Sequence, residues 1–463
     1  MYALQGGEHK QLDHFRDLKM YGEPVRKPPG AIVLWPHWQY SIKRDGTRRS
    51  RNCCDGSPRS APLLHNIAST YSSCVEQPAQ QLFFALAARE NYPVYGGDAQ
   101  DAYAHSPRPE TPTFVSIDDA YADWYEHWFK KKLDRSLVLP VLHALQGHPE
   151  SGKLWEKHIT AILRSPKFGF KSTTHDKSIY LATFEGTRIL LLCQVDDFAV
   201  ACPNEDLAKR LYDQIGKALK LPSEDAPPFK YLDLIKDFNG LDVAQYSDAI
   251  KLSCEKYIDH VLTAHGWSKP SPPIPTKPSI PLPVDAVTLL YAHQGPPENT
   301  AEHAALVAKY GFAYCTLLGE LLYAYVTCRP DIGYATITLS KFSTCPHDHH
   351  FAMLKKVVKY LRATKDWGII YRWSQPDTSL PPSNFIRSTM GAELPDFPTI
   401  DTQEPVAFLD PLDGCYTTDM PAESWGITNL CLFCSCLICW RPLPVWGLLP
   451  IFWVILFCFW TFC

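Results

Sequence analysis

Asp196 and Asp197 stand side by side between two apolar runs, Ile189 to Cys193 before them and Phe198 to Ala201 after. The pattern reads as a β-hairpin with both acids at or near its turn. Burying a carboxylate is costly unless it is paired or bound to a metal. Two carboxylates held on a hairpin could grip a divalent ion such as Mg²⁺, which favours oxygen ligands and leaves positions open for phosphate oxygens. An ordinary Asp-Asp turn between surface strands would give the same dipeptide.

A third acid changes the balance. Asn91-Tyr92-Pro93 breaks a helical pattern, and Val94-Tyr95-Gly96-Gly97 then reads as a strand ending around Asp98, with Tyr103 five residues further on. Two ions bridging a transferred phosphoryl group need three carboxylate-like positions converging from rigid elements. Asp98, Asp196 and Asp197 supply three, and the chemistry they fit is nucleotide polymerisation.

The flanking elements must position these acids. Ala31 to Trp35 and Trp38 to Ile42 read as strands leading into Lys43-Arg44-Asp45-Gly46-Thr47-Arg48-Arg49-Ser50-Arg51. Asp45-Gly46 is a hairpin-turn signal. The basic residues around it form either a solvated tip or a clamp for phosphates. Residues 63–91 read as a helix, with Leu82, Phe83, Leu86 and Ala87 at helical spacing. The apolar segment 135–145 ends at Gln146-Gly147-His148-Pro149. Ser151 to Leu163 reads as an amphipathic helix capped by Ser151. Residues 171–182 and 188–202 are strand-like, and Asn204 to Leu219 is a helix with acids in its first turn. Strands over 231–239 and 249–252 precede a helix at 254–265. Residues 268–285 are a Pro-rich linker, 301–328 and 346–364 are helical, and Trp367 to Trp373 is a short strand.

The 463 residues suffice for roughly two to four domains. The net charge of −4 excludes a nucleic-acid binder that works by overall basicity, so any such binding depends on local charge. The sixteen cysteines are scattered, without metal-ligand spacing before the C-terminal tail, and are expected to be reduced thiols of an intracellular protein. Met1 to Lys19 carries charges of both signs, and no secretory signal is expected there.

Asp98-Ala99-Gln100-Asp101-Ala102-Tyr103 resembles the first catalytic motif of reverse transcriptases, and Gln194-Val195-Asp196-Asp197 resembles their Tyr-x-Asp-Asp motif. Leu145 to Pro149 and Ser151 to Trp155 are similar to the segment that lies against template and incoming nucleotide. Leu318-Gly319-Glu320-Leu321-Leu322-Tyr323, Thr327-Cys328-Arg329-Pro330-Asp331-Ile332 and Lys359 to Thr364 resemble segments of copia-type retrotransposon polyproteins. The resemblance runs from about Ala31 to Trp373, and the order and spacing of its motifs carry it.

The resemblance implies an α+β right-hand polymerase fold of fingers, palm and thumb, followed by a connection region and the start of a truncated RNase H-like domain. Its expected boundaries are 1–30 disordered, 31–222 fingers and palm, 223–267 end of palm and thumb, 268–300 linker, 301–373 connection, 374–424 truncated RNase H-like start and 425–463 hydrophobic tail. It implies two Mg²⁺ or Mn²⁺ ions on Asp98, Asp196, Asp197 and the Ala99 carbonyl. Lys43 and Arg51 would hold the triphosphate, with Arg48 and Arg49 as alternatives to Arg51. Tyr103 would lie under the sugar, unless it is simply a core aromatic, and Gln146 and Gly147 would pack against the nucleotide. The implied activity is RNA-directed DNA synthesis. The alternative is a catalytically inactive remnant that at most binds nucleic acid. Implied partners are RNA or DNA template with primer, deoxynucleoside triphosphates and other retrotransposon polyprotein products. The implied location is cytoplasmic, in a virus-like particle, or nuclear.

The departures are Gln194 in place of the usual Tyr and Gln80-Gln81 where the family often carries an Arg, a change expected to weaken triphosphate binding. Val406 to Asp410 and Thr418-Asp419 look like the opening of the RNase H. Trp425 to Cys463 holds a single charged residue, Arg441, and Leu443 to Cys463 is long enough to span a bilayer. The expectation is a segment not selected to fold with the rest, rather than a membrane anchor.

Overall fold

The acidic hairpin lies inside a six-stranded sheet whose other strands come from both sides of it in sequence. A computed structural model describes residues 2–42, 48–65, 70–174, 176–222, 224–225, 227–268, 280–283, 285–373 and 380–381. The chain divides into two compact units, residues 1–260 with 326–329 and 364–380, and residues 261–325 with 330–363 and 381–463. The linker core, the RNase H-like start, the hydrophobic tail and Lys43 fall on positions outside the described residues.

The first unit begins with α1 (Tyr2–Asp17), β1 (Val25–Arg26), β2 (Ile32–Leu34), β3 (Pro36–Ile42) and β4 (Arg48–Cys54). There follow α2 (Gln77–Arg89), β5 (Val94–Ala99), a 3₁₀ turn at Ala102–His105, β6 (Thr113–Ser116), α3 (Asp119–Phe129) and β7 (Leu137–Pro140). Next are α4 (Ser151–Arg164), β8 (Lys171–Ser172), β9 (Ile179–Phe184), β10 (Thr187–Gln194), β11 (Asp197–Ala201) and α5 (Glu205–Leu219). Strands β12 (Phe229–Leu234), β13 (Asp237–Phe238), β14 (Leu241–Gln245) and β15 (Ala249–Ser253) precede α6 (Glu255–Ala264), and the late strand β16 (Gly368–Arg372) returns to pair with β15.

The central sheet has the order β12-β5-β11-β10-β9-β8, with every neighbour antiparallel. Alternation along its strands separates two faces. Ile189, Leu191, Phe198 and Val200 share one core with Trp155, Ile159 and Leu163 of α4 and Leu211, Tyr212 and Ile215 of α5. Leu190 and Leu192 have the opposite parity, and α2 packs against β10. Asn204 caps α5 by accepting from Leu207 N at 3.0 Å. A second sheet has the order β1-β7-β6-β2, and β3 and β4 form a separate two-stranded hairpin.

Four expectations are corrected. Residues 1–30 are not disordered throughout, because α1 occupies their first half. Leu12 and Phe15, followed by Leu18, turn inward at three-residue spacing, and the mixed charges between them hide the stripe. The helix expected over 63–91 exists only from Gln77, where Pro78 in the first turn sets its start. Ser151 is the first helical residue of α4, not its cap; Glu150 holds the capping position, and Ser151 Oγ donates to the Leu145 carbonyl at 2.6 Å. The helix expected over 301–328 is two.

Those two helices belong largely to the second unit, which holds α7 (Ala286–Tyr291), α8 (Ala301–Tyr310), most of α9 (Tyr314–Thr327), α10 (Gly333–Ser340) and α11 (Asp348–Ala363). Gly311, with φ +78°, caps α8 in the left-handed conformation, and the chain bends by 53° into α9. Phe351, Leu354 and Val357 of α11 are buried in this unit together with Leu317 and Leu321. Among the described residues, no single helix is long and apolar enough to cross a membrane.

Candidate active site

Gln194 pairs with Asp197, so the β10–β11 connection is a two-residue turn made of Val195 and Asp196. Asp196 therefore sits in the turn, and Asp197 is the first residue of β11. Val195 has φ +54°, a conformation that a β-branched residue adopts only under restraint. The restraint comes from both sides. Trp155 Nε1 of α4 donates to the Val195 carbonyl at 2.7 Å, and Ala99 N of β5 donates to the Asp196 carbonyl at 2.8 Å.

β11 runs antiparallel to β5 with Asp197 directly opposite Asp98, and β12 places Lys230 opposite Asp98 on the other side. Side chains of directly paired residues share a sheet face. Gln194, Asp197, Asp98 and Lys230 therefore form a row across four adjacent strands. Gln194 Oε1 accepts from Val75 N at 2.7 Å, which anchors the segment entering α2.

The electrostatics follow from this crowding. Partial burial, then the charges of Asp196 and Asp98, push the Asp197 carboxyl up to about 6. Asp98 is likewise raised, first by burial and then by Asp196, while Lys230 and Arg49 pull it back. Arg49 is lowered by burial and by Arg51, against the attraction of Asp101, Asp98 and Asp196. Perturbed carboxylates gathered on one sheet face mark a functional-site candidate. Among the described residues, no three His, Cys, Asp or Glu side chains stand together as a ready metal cluster. The donor chemistry nevertheless fits a hard dication: oxygen ligands only, whose mutual repulsion such an ion would relieve.

Tyr103 lies in the 3₁₀ turn after β5, half-buried, with its ring against the core under the sheet. Gln146 and Gly147 follow β7. The Gln146 carbonyl accepts from Cys54 N at 2.9 Å, and Gly147 has φ +89° with a would-be Cβ directed into the Cys54 carbonyl. This segment is thereby fastened to β4, the strand carrying Arg49 and Arg51. These two arginines are two residues apart, so they share a face of β4, and it is Arg49 whose charge is felt by Asp98 and Asp196. Gln80 and Gln81 are both engaged elsewhere, donating to the Phe238 carbonyl at 2.9 Å and the Thr327 carbonyl at 2.8 Å. Sequence reasoning missed Lys230 and the anchoring role of Trp155. Lys230 sits in no motif, and only the register of β12 on β5 brings it beside Asp98.

Comparison with known proteins gives these features a context. The family described as "Reverse transcriptase (RNA-dependent DNA polymerase)" matches residues 24–275. A Pol polyprotein of the Nicotiana tabacum transposon TNT 1-94 is 23% identical over 360 residues, covering 76% of this chain and 25% of its own length. The Pol polyprotein of the Arabidopsis thaliana transposon RE2 is 21% identical over 355 residues, covering 74% of this chain and 21% of its own. A putative transposon Ty5-1 protein of Saccharomyces cerevisiae is 26% identical over 245 residues, covering 53% of this chain and 71% of its own. The chain thus spans a quarter or less of the two plant polyproteins. Among solved structures, a foamy viral protease–reverse transcriptase in complex with double-stranded DNA aligns at 12% identity with a TM-score of 0.33, over 77% of this chain and 48% of its own.

Proposed function

Because the chain belongs to the reverse transcriptase family, we propose that it adds deoxynucleotides to a primer 3′-hydroxyl on an RNA or DNA template, releasing pyrophosphate. The observation that carries this reading is the register of β5 against β11, which sets Asp98 opposite Asp197 with Asp196 in the adjoining turn.

Asp98, Asp196, Asp197 and the Ala99 carbonyl would hold Mg²⁺ or Mn²⁺. Such ions, when bound, acidify the attacking hydroxyl and neutralise charge on the phosphoryl oxygens. The protein's own contribution is positional and electrostatic. Trp155 and Ala99 N fix the backbone of the turn that carries Asp196 and leads into Asp197. Arg51, or Arg49 on the same face of β4, would present cationic donors to a triphosphate, for which a planar guanidinium is well shaped, and Lys43 would assist. Lys230 moderates the negative charge beside Asp98. Tyr103 would lie under the sugar, and Gln146 and Gly147 would line the nucleotide's other side. Residues 31–222 form the fingers and palm in this reading, and 223–267 the end of the palm and the thumb, with α6 in the thumb. Partners would be primer–template, deoxynucleoside triphosphates and other polyprotein products, and the location a cytoplasmic particle, which sedimentation of a tagged chain with its template RNA would test.

The deciding assay is extension of a DNA primer on an RNA template by the full chain with Mg²⁺ or Mn²⁺. Extension that disappears in Asp197→Asn supports the proposal. No extension, or extension indifferent to that substitution, overturns it; salt-dependent primer–template binding without incorporation would instead identify an inactive remnant.

A further inference from the structure

Three histidines of the first unit make hydrogen bonds to the segment from Asp101 to Ser106. His14 of α1 sets Nε2 2.7 Å from Asp101 Oδ2. His143, beyond β7, sets Nδ1 3.1 Å from the Ser106 carbonyl. His105 lies within the segment and is 4% exposed. Its Nδ1 is 3.1 Å from the Asp101 carbonyl and its Nε2 is 2.9 Å from Glu224 Oε1. The second oxygen of Glu224 accepts from Leu221 N at 2.7 Å, so the carboxylate is itself fixed.

The Asp101 carbonyl cannot donate, so Nδ1 must. The ring thus bridges that carbonyl and the fixed carboxyl of Glu224, which shares a hydrogen bond with Nε2. The segment needs outside support of this kind. Asp101 has φ 49° and ψ 44°, a left-handed conformation that a non-glycine residue adopts at a cost. Tyr103 is at its centre: Ala104 N donates to the Asp101 carbonyl at 2.7 Å and Ser106 N to the Tyr103 carbonyl at 3.0 Å.

We propose that His105 and Glu224 are positioning residues for nucleotide selection, their hydrogen bond fixing the backbone that carries Tyr103 and thereby the preference for deoxyribose over ribose. The inference rests on the reading of Tyr103 under the incoming sugar. A contact that rejects one added hydroxyl depends on where the ring edge stands, and small displacements of a positioned group are costly.

The test compares incorporation of dCTP and CTP opposite template guanine by the full chain, using wild type, His105→Ala, Glu224→Ala and Glu224→Gln. Hydrogen exchange over residues 101–106 is followed in the same samples. The alanine variants are expected to lower the dCTP-to-CTP ratio of kcat/KM by about tenfold, the scale of one lost buried hydrogen bond, and to raise exchange over 101–106. Glu224→Gln keeps an acceptor for His105 and is expected to recover most of the ratio. An unchanged ratio, or equal losses for both nucleotides, overturns the inference. If His105→Ala does not fold, the two Glu224 variants decide. Wild-type protein that incorporates neither nucleotide overturns the polymerase reading and this inference with it, whereas active wild type with unchanged variants overturns this inference alone.

Discussion

At the scale of single residues, the site trades stability for charge. Asp197 carries a folded-state proton affinity raised to about 6 from its ordinary 3.8. The sign follows from linkage: a carboxyl that binds its proton more tightly when folded contributes stability at low pH, and that contribution is lost as pH rises through about 6. Above that value the deprotonated acid destabilises the fold. Asp197→Asn removes the penalty, so its melting temperature is expected to exceed wild type by about 1–3 °C at pH 7.5, a figure kept small because the side chain is only partly buried. The gain should vanish near pH 4, where both proteins carry a neutral group, and polymerase activity should be lost at every pH. A lower melting temperature at pH 7.5 would show that the carboxylate is structural. Gln194 gives a complementary case. Its side chain accepts from the main chain of buried Val75 at 2.7 Å, a bond that Tyr cannot replace from the same position. Gln194→Tyr, although it installs the family's usual residue, is expected to cost about 1–2 kcal/mol by leaving that N–H unpaired. Urea unfolding would measure it, and an unchanged midpoint would count against the argument.

At the scale of elements, the acids are placed by packing on the opposite face of their sheet. Gly97 precedes Asp98, and a Cβ there would stand 2.5 Å from Phe229 Cε1 and 2.8 Å from Tyr212 Cζ. Those rings stack on each other with centroids 5.0 Å apart, and the Tyr212 hydroxyl donates to the Tyr95 carbonyl at 2.9 Å, so neither can give way easily. Gly97→Ala is therefore expected to cost about 1–3 kcal/mol and to depress primer extension by displacing Asp98. A Cβ at Gly96 would stand no nearer than 3.2 Å from Leu232 and 3.7 Å from Ile235, so Gly96→Ala should be much milder. Equal effects of the two substitutions, measured by melting and extension together, would refute the packing account. The same contrast explains what sequence could reveal. Strands β5, β10 and β11 and helices α4 and α5 were legible because their apolar period is set by one dominant core. Helix α1 was hidden because its burial is spread over widely spaced residues among charges, and α10 because Thr336 and Thr338 are buried polar groups that break the apolar stripe. Of the candidate site, the acidic motifs could be read locally. Lys230 could not, since its place beside Asp98 depends on the pairing of two strands distant in sequence.

At the scale of the molecule, a net charge of −4 is less informative than its distribution. Burial first, then repulsion from neighbouring acids, raises Asp98 and Asp197, and Lys230 and Arg49 offset this at Asp98 only in part. A dication binding there binds the folded state alone, because the unfolded chain does not bring Asp98 beside Asp196 and Asp197. Its binding must then raise stability in proportion to the logarithm of its concentration over its dissociation constant. At pH 7.5, adding Mg²⁺ at about ten times that constant is expected to stabilise wild type by about 1.4 kcal/mol, seen as a few degrees in melting temperature. Protons compete for the same oxygens. As pH falls through about 6, Asp197 protonates in the folded protein, so the Mg²⁺ increment should shrink, while the metal-free protein grows relatively more stable by the linkage above. The two melting curves should converge by about pH 5. In Asp197→Asn the increment should be small at every pH. A Mg²⁺ increment that is independent of pH, or undiminished in Asp197→Asn, would place the ion elsewhere on the protein and remove the electrostatic reason for the acids to share one sheet face.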